Sequence, residues 1–82
     1  MNSKILFFSS PWWGPCSSIK KILTEDLLKE LSIEIIDIAK DENLSLVTKH
    51  KVMNVPTFIK IEGDKETSRK IGSMSINDLR NL

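Results

Sequence analysis

The sequence predicts an α/β domain in the order β-α-β-α-β-β-α, with a four-stranded mixed sheet flanked by three helices. Three observations carry that expectation. Apolar runs of strand length, Lys4 to Phe8 and Ile33 to Ile38, bracket a stretch whose apolar residues recur at helical spacing. Alternation from Thr57 to Glu62, followed by turn chemistry at Gly63-Asp64, predicts a hairpin. The 82 residues, 40% hydrophobic and 28% charged, suit one ordinary soluble domain over residues 1–82, with no room for a second core.

The elements follow in order. Ile5-Leu6-Phe7-Phe8 is continuously apolar, as in a strand covered on both faces. Ser9-Ser10-Pro11 breaks it. From Pro15 onward, Ile19, Ile22, Leu23, Leu27, Leu28 and Leu31 form one apolar stripe, with Lys20, Lys21, Lys29 and Glu30 on the wet side. That predicts a single long helix, and Pro15 is tolerated in its first turn. Ile33 to Ile38 is the next strand, and the crossover sets it parallel to the first. Asp41-Glu42-Asn43 reads as the capped start of a helix carrying Leu44, Leu46 and Val47 and ending near His50. Thr57 to Glu62 sets Phe58 and Lys60 against Ile59 and Ile61, and a short strand around Arg69 to Ile71 completes the hairpin. Ser75-Ile76-Asn77-Asp78 reads as a capping box, opening a last helix with Leu79 and Leu82 on one face.

Twelve Lys and Arg against eleven Asp and Glu give a formal charge of +1, which offers no footprint for nucleic acid or anionic lipid. The longest uncharged apolar-rich stretch, Ile5 to Ile19, is interrupted by four serines, Gly14 and two prolines, so no membrane-spanning helix is expected. Ile5 to Phe8 is too short for a signal-peptide core. A cytoplasmic monomer is the expectation. One cysteine, Cys16, excludes an internal disulfide and any multi-cysteine metal site. Asp37 and Asp41 stand away from any His or Cys, so neither a metal nor another cofactor is expected. Lys49-His50-Lys51 reads as a solvated helix end that complements the dipole.

The stretch that carries chemistry is Ser9-Ser10-Pro11-Trp12-Trp13-Gly14-Pro15-Cys16, at a strand-to-helix junction. Two tryptophans in a turn are unusual, because indoles are costly to leave in water. Trp12, Gly14, Pro15 and Cys16 stand as in the Trp-Cys-Gly-Pro-Cys motif, and here the chain resembles the thioredoxin family. Val55-Pro56-Thr57 resembles that family's cis-proline loop, and Gly72 the glycine bordering the same site. The resemblance runs from Lys4 to Leu82. A start at the central strand, with Ser10-Pro11 ahead of the motif, is similar to glutaredoxins and short glutaredoxin-like thioredoxins. The resemblance implies a thioredoxin fold, a cis Val55–Pro56 bond and, for the family, thiol–disulfide exchange that reduces protein disulfides. It implies a substrate groove built from Trp12, Gly14, Pro15, Val55, Pro56, Thr57 and Gly72. The partners it implies are extended peptide segments of other proteins, with a thioredoxin-reductase or glutathione-type system serving the parent family.

One position departs from the motif, and it is the decisive one. Trp13 stands where the family has its nucleophilic cysteine, while Cys16 stands at the resolving position. Attack on a disulfide needs an exposed thiolate, and indole supplies none. With one thiol, no dithiol–disulfide cycle runs. Phe7 stands where thioredoxins often keep a buried carboxylate, which glutaredoxin-like members also lack. Three readings follow: a redox-inactive protein that keeps the peptide groove, an active-site variant in which Trp13 replaces a working cysteine, and monothiol chemistry at Cys16. With Ile19 nearby, Cys16 itself reads as a buried, inert thiol. For Trp13 an aromatic anchor over Val55-Pro56 is weighed against an indole merely lapped by solvent.

Overall fold

A computed structural model describes residues 3–82 of the chain. Strand β1 (Ser3–Ser9) leads into helix α1 (Gly14–Ile22), then α2 (Glu25–Glu30) and strand β2 (Ile33–Asp37). A 3-10 turn at Asp41–Asn43 precedes α3 (Leu44–Lys49), followed by β3 (Thr57–Glu62), β4 (Lys65–Ile71) and α4 (Ile76–Arg80). The sheet order is β2-β1-β3-β4, with β1 parallel to β2 and both other pairs antiparallel.

Strand alternation sorts the core into two halves. Ile5 and Phe7 point to the face covered by α1, α2 and α4, where they meet Ile19, Leu23, Leu27 and Leu79. Leu6 and Phe8 point to the other face and join Ile36, Ile59 and Ile61 under Leu46 and Val47 of α3. Both faces of the central strand are therefore buried, which is why its four apolar residues run without a polar break.

Three expectations are corrected. The long helix is broken at Leu23-Thr24, so four α-helices flank the sheet rather than three. Leu23 leaves helical geometry at φ −87°, ψ 84°, and Thr24 starts anew, its Oγ1 accepting the Leu27 N–H at 3.2 Å. Glu25 and Asp26 then favour the new N-terminus electrostatically. The apolar stripe hides this break because Leu23 and Leu27 stay buried on the same side of it.

The last strand spans seven residues instead of a short piece at Arg69–Ile71. Its polar sequence Lys65-Glu66-Thr67-Ser68-Arg69-Lys70 suits a half-wet edge, where hydrophobic alternation carries no signal. The Asp41-Glu42-Asn43 segment is a 3-10 turn, not a side-chain cap. Asn43 instead donates its Nδ2 to the Asp37 carbonyl at 2.8 Å, and Leu44 is exposed. The capping box at Ser75 is formed in full, with Ser75 Oγ accepting from the Asp78 N–H and Asp78 Oδ2 from the Ser75 N–H.

Candidate functional site

Sheet register brings three separate segments to one end of the molecule. Phe8 near the end of β1 is opposite Thr57 at the start of β3, and Thr57 is opposite Ile71 at the end of β4. The continuations of those strands therefore converge: the Ser10-to-Trp13 turn after β1, the Val55-Pro56 segment before β3, and Gly72 after β4.

The turn is built from its own short-range bonds. The Trp13 N–H donates to the Ser10 carbonyl at 3.3 Å and the Trp12 N–H to Ser10 Oγ at 3.3 Å. Trp13 is the N-cap of α1, extended at φ −101°, ψ 121°, and its carbonyl accepts from the N–H groups of Cys16 at 3.1 Å and Ser17 at 3.2 Å. Pro15 lies in the first turn, where its missing N–H leaves nothing unpaired. Both indoles face solvent, Trp12 at 80% and Trp13 at 52% exposure.

Cys16 points the other way and is fully buried at 0% exposure. Its Sγ lies 3.5 Å from the backbone N–H of Ser10, which donates to it and ties the helix to the end of the strand. Beside it, Ser9 is fully buried, and its hydroxyl finds no partner among the described residues.

Across from the turn, the Val55–Pro56 peptide bond is cis. The segment is held from both sides. Thr57 Oγ1 donates to the Asn54 carbonyl at 2.6 Å, and the Gly72 N–H donates to the Pro56 carbonyl at 2.9 Å. Gly72 adopts φ +102°, a region that side chains resist, so glycine there has a conformational reason. Next to Val55 lies an apolar hollow of about 110 Å³ lined by Ile38, Val47, Val52 and Met53. The structure thus gathers Trp12, Trp13, Gly14, Pro15, Val55, Pro56, Thr57 and Gly72 at one end, with Cys16 beneath them. Phe7 stands further in, its ring stacked on Phe58 with centroids 4.5 Å apart.

His50 is not the solvated helix end expected from its neighbours. Only 11% of its side chain is exposed, with Nδ1 3.9 Å from Glu66 Oε1 and its ring tilted against Phe8. Burial holds His50 below the ordinary histidine pKa; Lys49 adds to this and Glu66 opposes it. Glu66 and Arg69 form a two-pronged pair at 2.8 Å for each bond, and Arg69 Nη2 also donates to the His50 carbonyl. The Arg69 hydrogen bonds hold the Glu66 carboxyl below the usual range, and Glu66 in turn raises Arg69. This cluster ties the end of α3, from which the Val55-Pro56 segment departs, to strand β4. Among the described residues no group of three or more His, Cys, Asp or Glu could hold a metal ion, and no helix is long and apolar enough to cross a membrane.

A parallel strand-helix-strand unit followed by a hairpin, with a proline segment facing the first helix, defines a thioredoxin fold. The chain belongs to the thioredoxin family, whose model, Thioredoxin, matches residues 2–82. It is similar to Thioredoxin H5 of Oryza sativa subsp. japonica, 32% identical over 68 residues that cover 83% of this chain and 50% of that protein. A thioredoxin of Staphylococcus epidermidis is 31% identical over 71 residues, covering 84% of this chain and 67% of that one. The chain spans about half the length of the rice relatives it matches, 50% and 52%. Among solved structures, Fasciola hepatica thioredoxin superposes with a TM-score of 0.80 at 29% identity, covering 98% of this chain and 76% of that chain. At the level of the family, the chemistry is thiol–disulfide exchange with substrate proteins.

Proposed function

We propose that this chain is a redox-inactive thioredoxin-like protein that binds extended peptide segments of partner proteins in the groove around Trp12, Trp13, Val55 to Thr57 and Gly72. One observation carries the reading: the chain has a single sulfur nucleophile, Cys16, and it is fully buried. A dithiol cycle needs two cysteines, and its first step needs one that a substrate can reach. Trp13, exposed at the head of α1, offers area to a partner and no nucleophile. The Val55-Pro56 segment and the neighbouring apolar hollow support retention of the peptide-binding surface.

The test is a protein-disulfide reduction assay of this chain beside its Trp13→Cys form, with free thiols counted in both. No activity in the unaltered chain, with peptide binding that survives Cys16→Ser, is the expected result. Turnover by the unaltered chain would sink the reading and point to Cys16. A second reading, a working oxidoreductase silenced at position 13, is favoured by the otherwise intact Gly14-Pro15-Cys16 run. It predicts that Trp13→Cys alone restores turnover.

A further inference from the structure

The two edges of the sheet are not alike. Strand β4 is blunted by Lys65, Arg69 and Lys70 and broken by a register shift opposite Lys60 and Ile61, devices that discourage pairing with another strand. Strand β2, reading Ile33-Glu34-Ile35-Ile36-Asp37, has no lysine or arginine and no register shift, and its two charges are both acidic.

The phase of the β1–β2 ladder shows which backbone groups face outward. The Ile5 N–H donates to the Ser32 carbonyl at 3.0 Å, and the Ile38 N–H donates to the Ser9 carbonyl at 3.0 Å. In a parallel ladder that phase turns the groups of Glu34 and Ile36 toward β1 and those of Ile33, Ile35 and Asp37 outward. The Asp37 carbonyl is taken by Asn43 Nδ2 at 2.8 Å and the Lys40 N–H at 3.2 Å. The ladder phase leaves the N–H groups of Ile33, Ile35 and Asp37 and the carbonyls of Ile33 and Ile35 on the outer side of an edge strand, and no turn, loop or side-chain hydrogen bond among the described residues takes them. Ile35 and Ile38 beside them are 41% and 36% exposed.

We propose that the outer edge of β2 is a strand-addition site for an extended basic segment of a partner protein, paired through the backbone of Ile33 and Ile35. Charge selects the occupant. From Ile33 to Glu42 the chain carries Glu34, Asp37, Asp41 and Glu42 against Lys40 alone, on a molecule of net charge +1. None of those four acids forms an ion pair among the described residues. A second copy added edge to edge would set this acidic stretch against itself, and a five-residue edge is short for the area that a stable dimer needs. An added strand with lysine or arginine at alternate positions presents them on one face and meets Glu34 there instead, while its backbone pairs with the open groups. This site lies at the opposite edge of the sheet from β4 and is separate from the groove around Val55-Pro56.

The test is an NMR titration of the full chain with a blocked nonapeptide alternating valine and lysine, beside one alternating valine and glutamate. The lysine peptide is expected to shift the amides of Ile33, Ile35 and Asp37 and slow their hydrogen exchange, and the glutamate peptide to leave them unmoved. Ile35→Pro removes an outward N–H without breaking a β1 ladder bond, so the fold is retained while the Kd for the lysine peptide rises about tenfold or more. Ile35→Lys keeps the backbone donor and opposes the basic peptide by charge, so it too weakens binding, and it stands in for the proline variant if that fails to fold. Unmoved amides with the lysine peptide, equal binding of both peptides, or shifts confined to Trp12, Trp13 and Val55 would each overturn the proposal. Concentration-dependent shifts of the three amides in the protein alone would overturn it too, in favour of a second copy on this edge.

Discussion

Gly72 donates its backbone N–H to the carbonyl of Pro56 across 2.9 Å, joining the end of β4 to the segment ahead of β3. The bond needs Gly72 at φ +102°, outside the left-handed region that asparagine tolerates. Gly63, at φ +64°, lies inside it. A Cβ at either glycine meets nothing within 4 Å, so the cost of substitution is conformational, not steric crowding. Gly72→Ala is expected to cost about 1–2 kcal/mol, whereas Gly63→Asn stays within about 0.5 kcal/mol. Urea unfolding midpoints, with slopes unchanged, check both; equal costs at the two sites would refute the conformational account.

Phe7 and Phe58 lie in paired strands at matching register, their rings parallel to within 4° and neither exposed at all. Each ring fills space that the other defines. Phe7→Leu and Phe58→Leu should each destabilise, and the double variant should lose less than the two losses combined, by about 0.5–1.5 kcal/mol. Additive losses would mean that the rings act only as separate apolar bulk.

Much of this was legible because the relevant physics is local. Ile5 to Phe8, the Gly63-Asp64 turn and the Ser75-Asp78 capping box each declare their structure within a few residues, and each forms as expected. The site's segments were legible through their resemblance to a family pattern, not through physics that a single sequence displays. The break at Leu23-Thr24 was hidden because the apolar stripe continues across it. The cluster of His50, Glu66 and Arg69 was hidden for a different reason. Residues three apart on a regular strand face opposite sides, but the register shift pairs Lys60 with Ser68 and Ile61 with Glu66, leaving Thr67 as the extra residue. That returns Glu66 and Arg69 to one face, and only long-range packing of α3 then brings His50 to them.

Cys16 accepts the Ser10 N–H through its sulfur and is sealed from solvent. A thiol reagent should therefore reach it only when α1 opens from the sheet. For an opening that costs about 2.8 kcal/mol, labelling is slowed about a hundredfold relative to the unfolded chain. Cys16→Ala removes the acceptor and leaves a small void, a loss of about 1–2 kcal/mol. Labelling at the unfolded rate under native conditions would contradict the buried thiol and revive monothiol chemistry.

The His50 cluster gives stability a pH dependence with a definite sign. His50 has a lowered pKa in the folded chain because burial disfavours the imidazolium, and Lys49, Arg69 and Lys4 push the same way against Glu66. The unfolded chain therefore binds the extra proton first as pH falls, so this contribution is complete above about pH 6.5 and declines below it, down to the folded-state pKa. Glu66 adds a second decline at lower pH, because its folded-state pKa is depressed by Arg69 and the pair is lost on protonation. Urea midpoints should fall from about pH 7.5 to about pH 5, and His50→Gln should flatten that part of the curve while leaving the acid limb. Arg69→Ala should lower stability at every pH in this range by about 1–2 kcal/mol, because it strips the partner from both Glu66 and the His50 carbonyl. A midpoint that rises on mild acidification would show instead that imidazolium pairing with Glu66 outweighs burial.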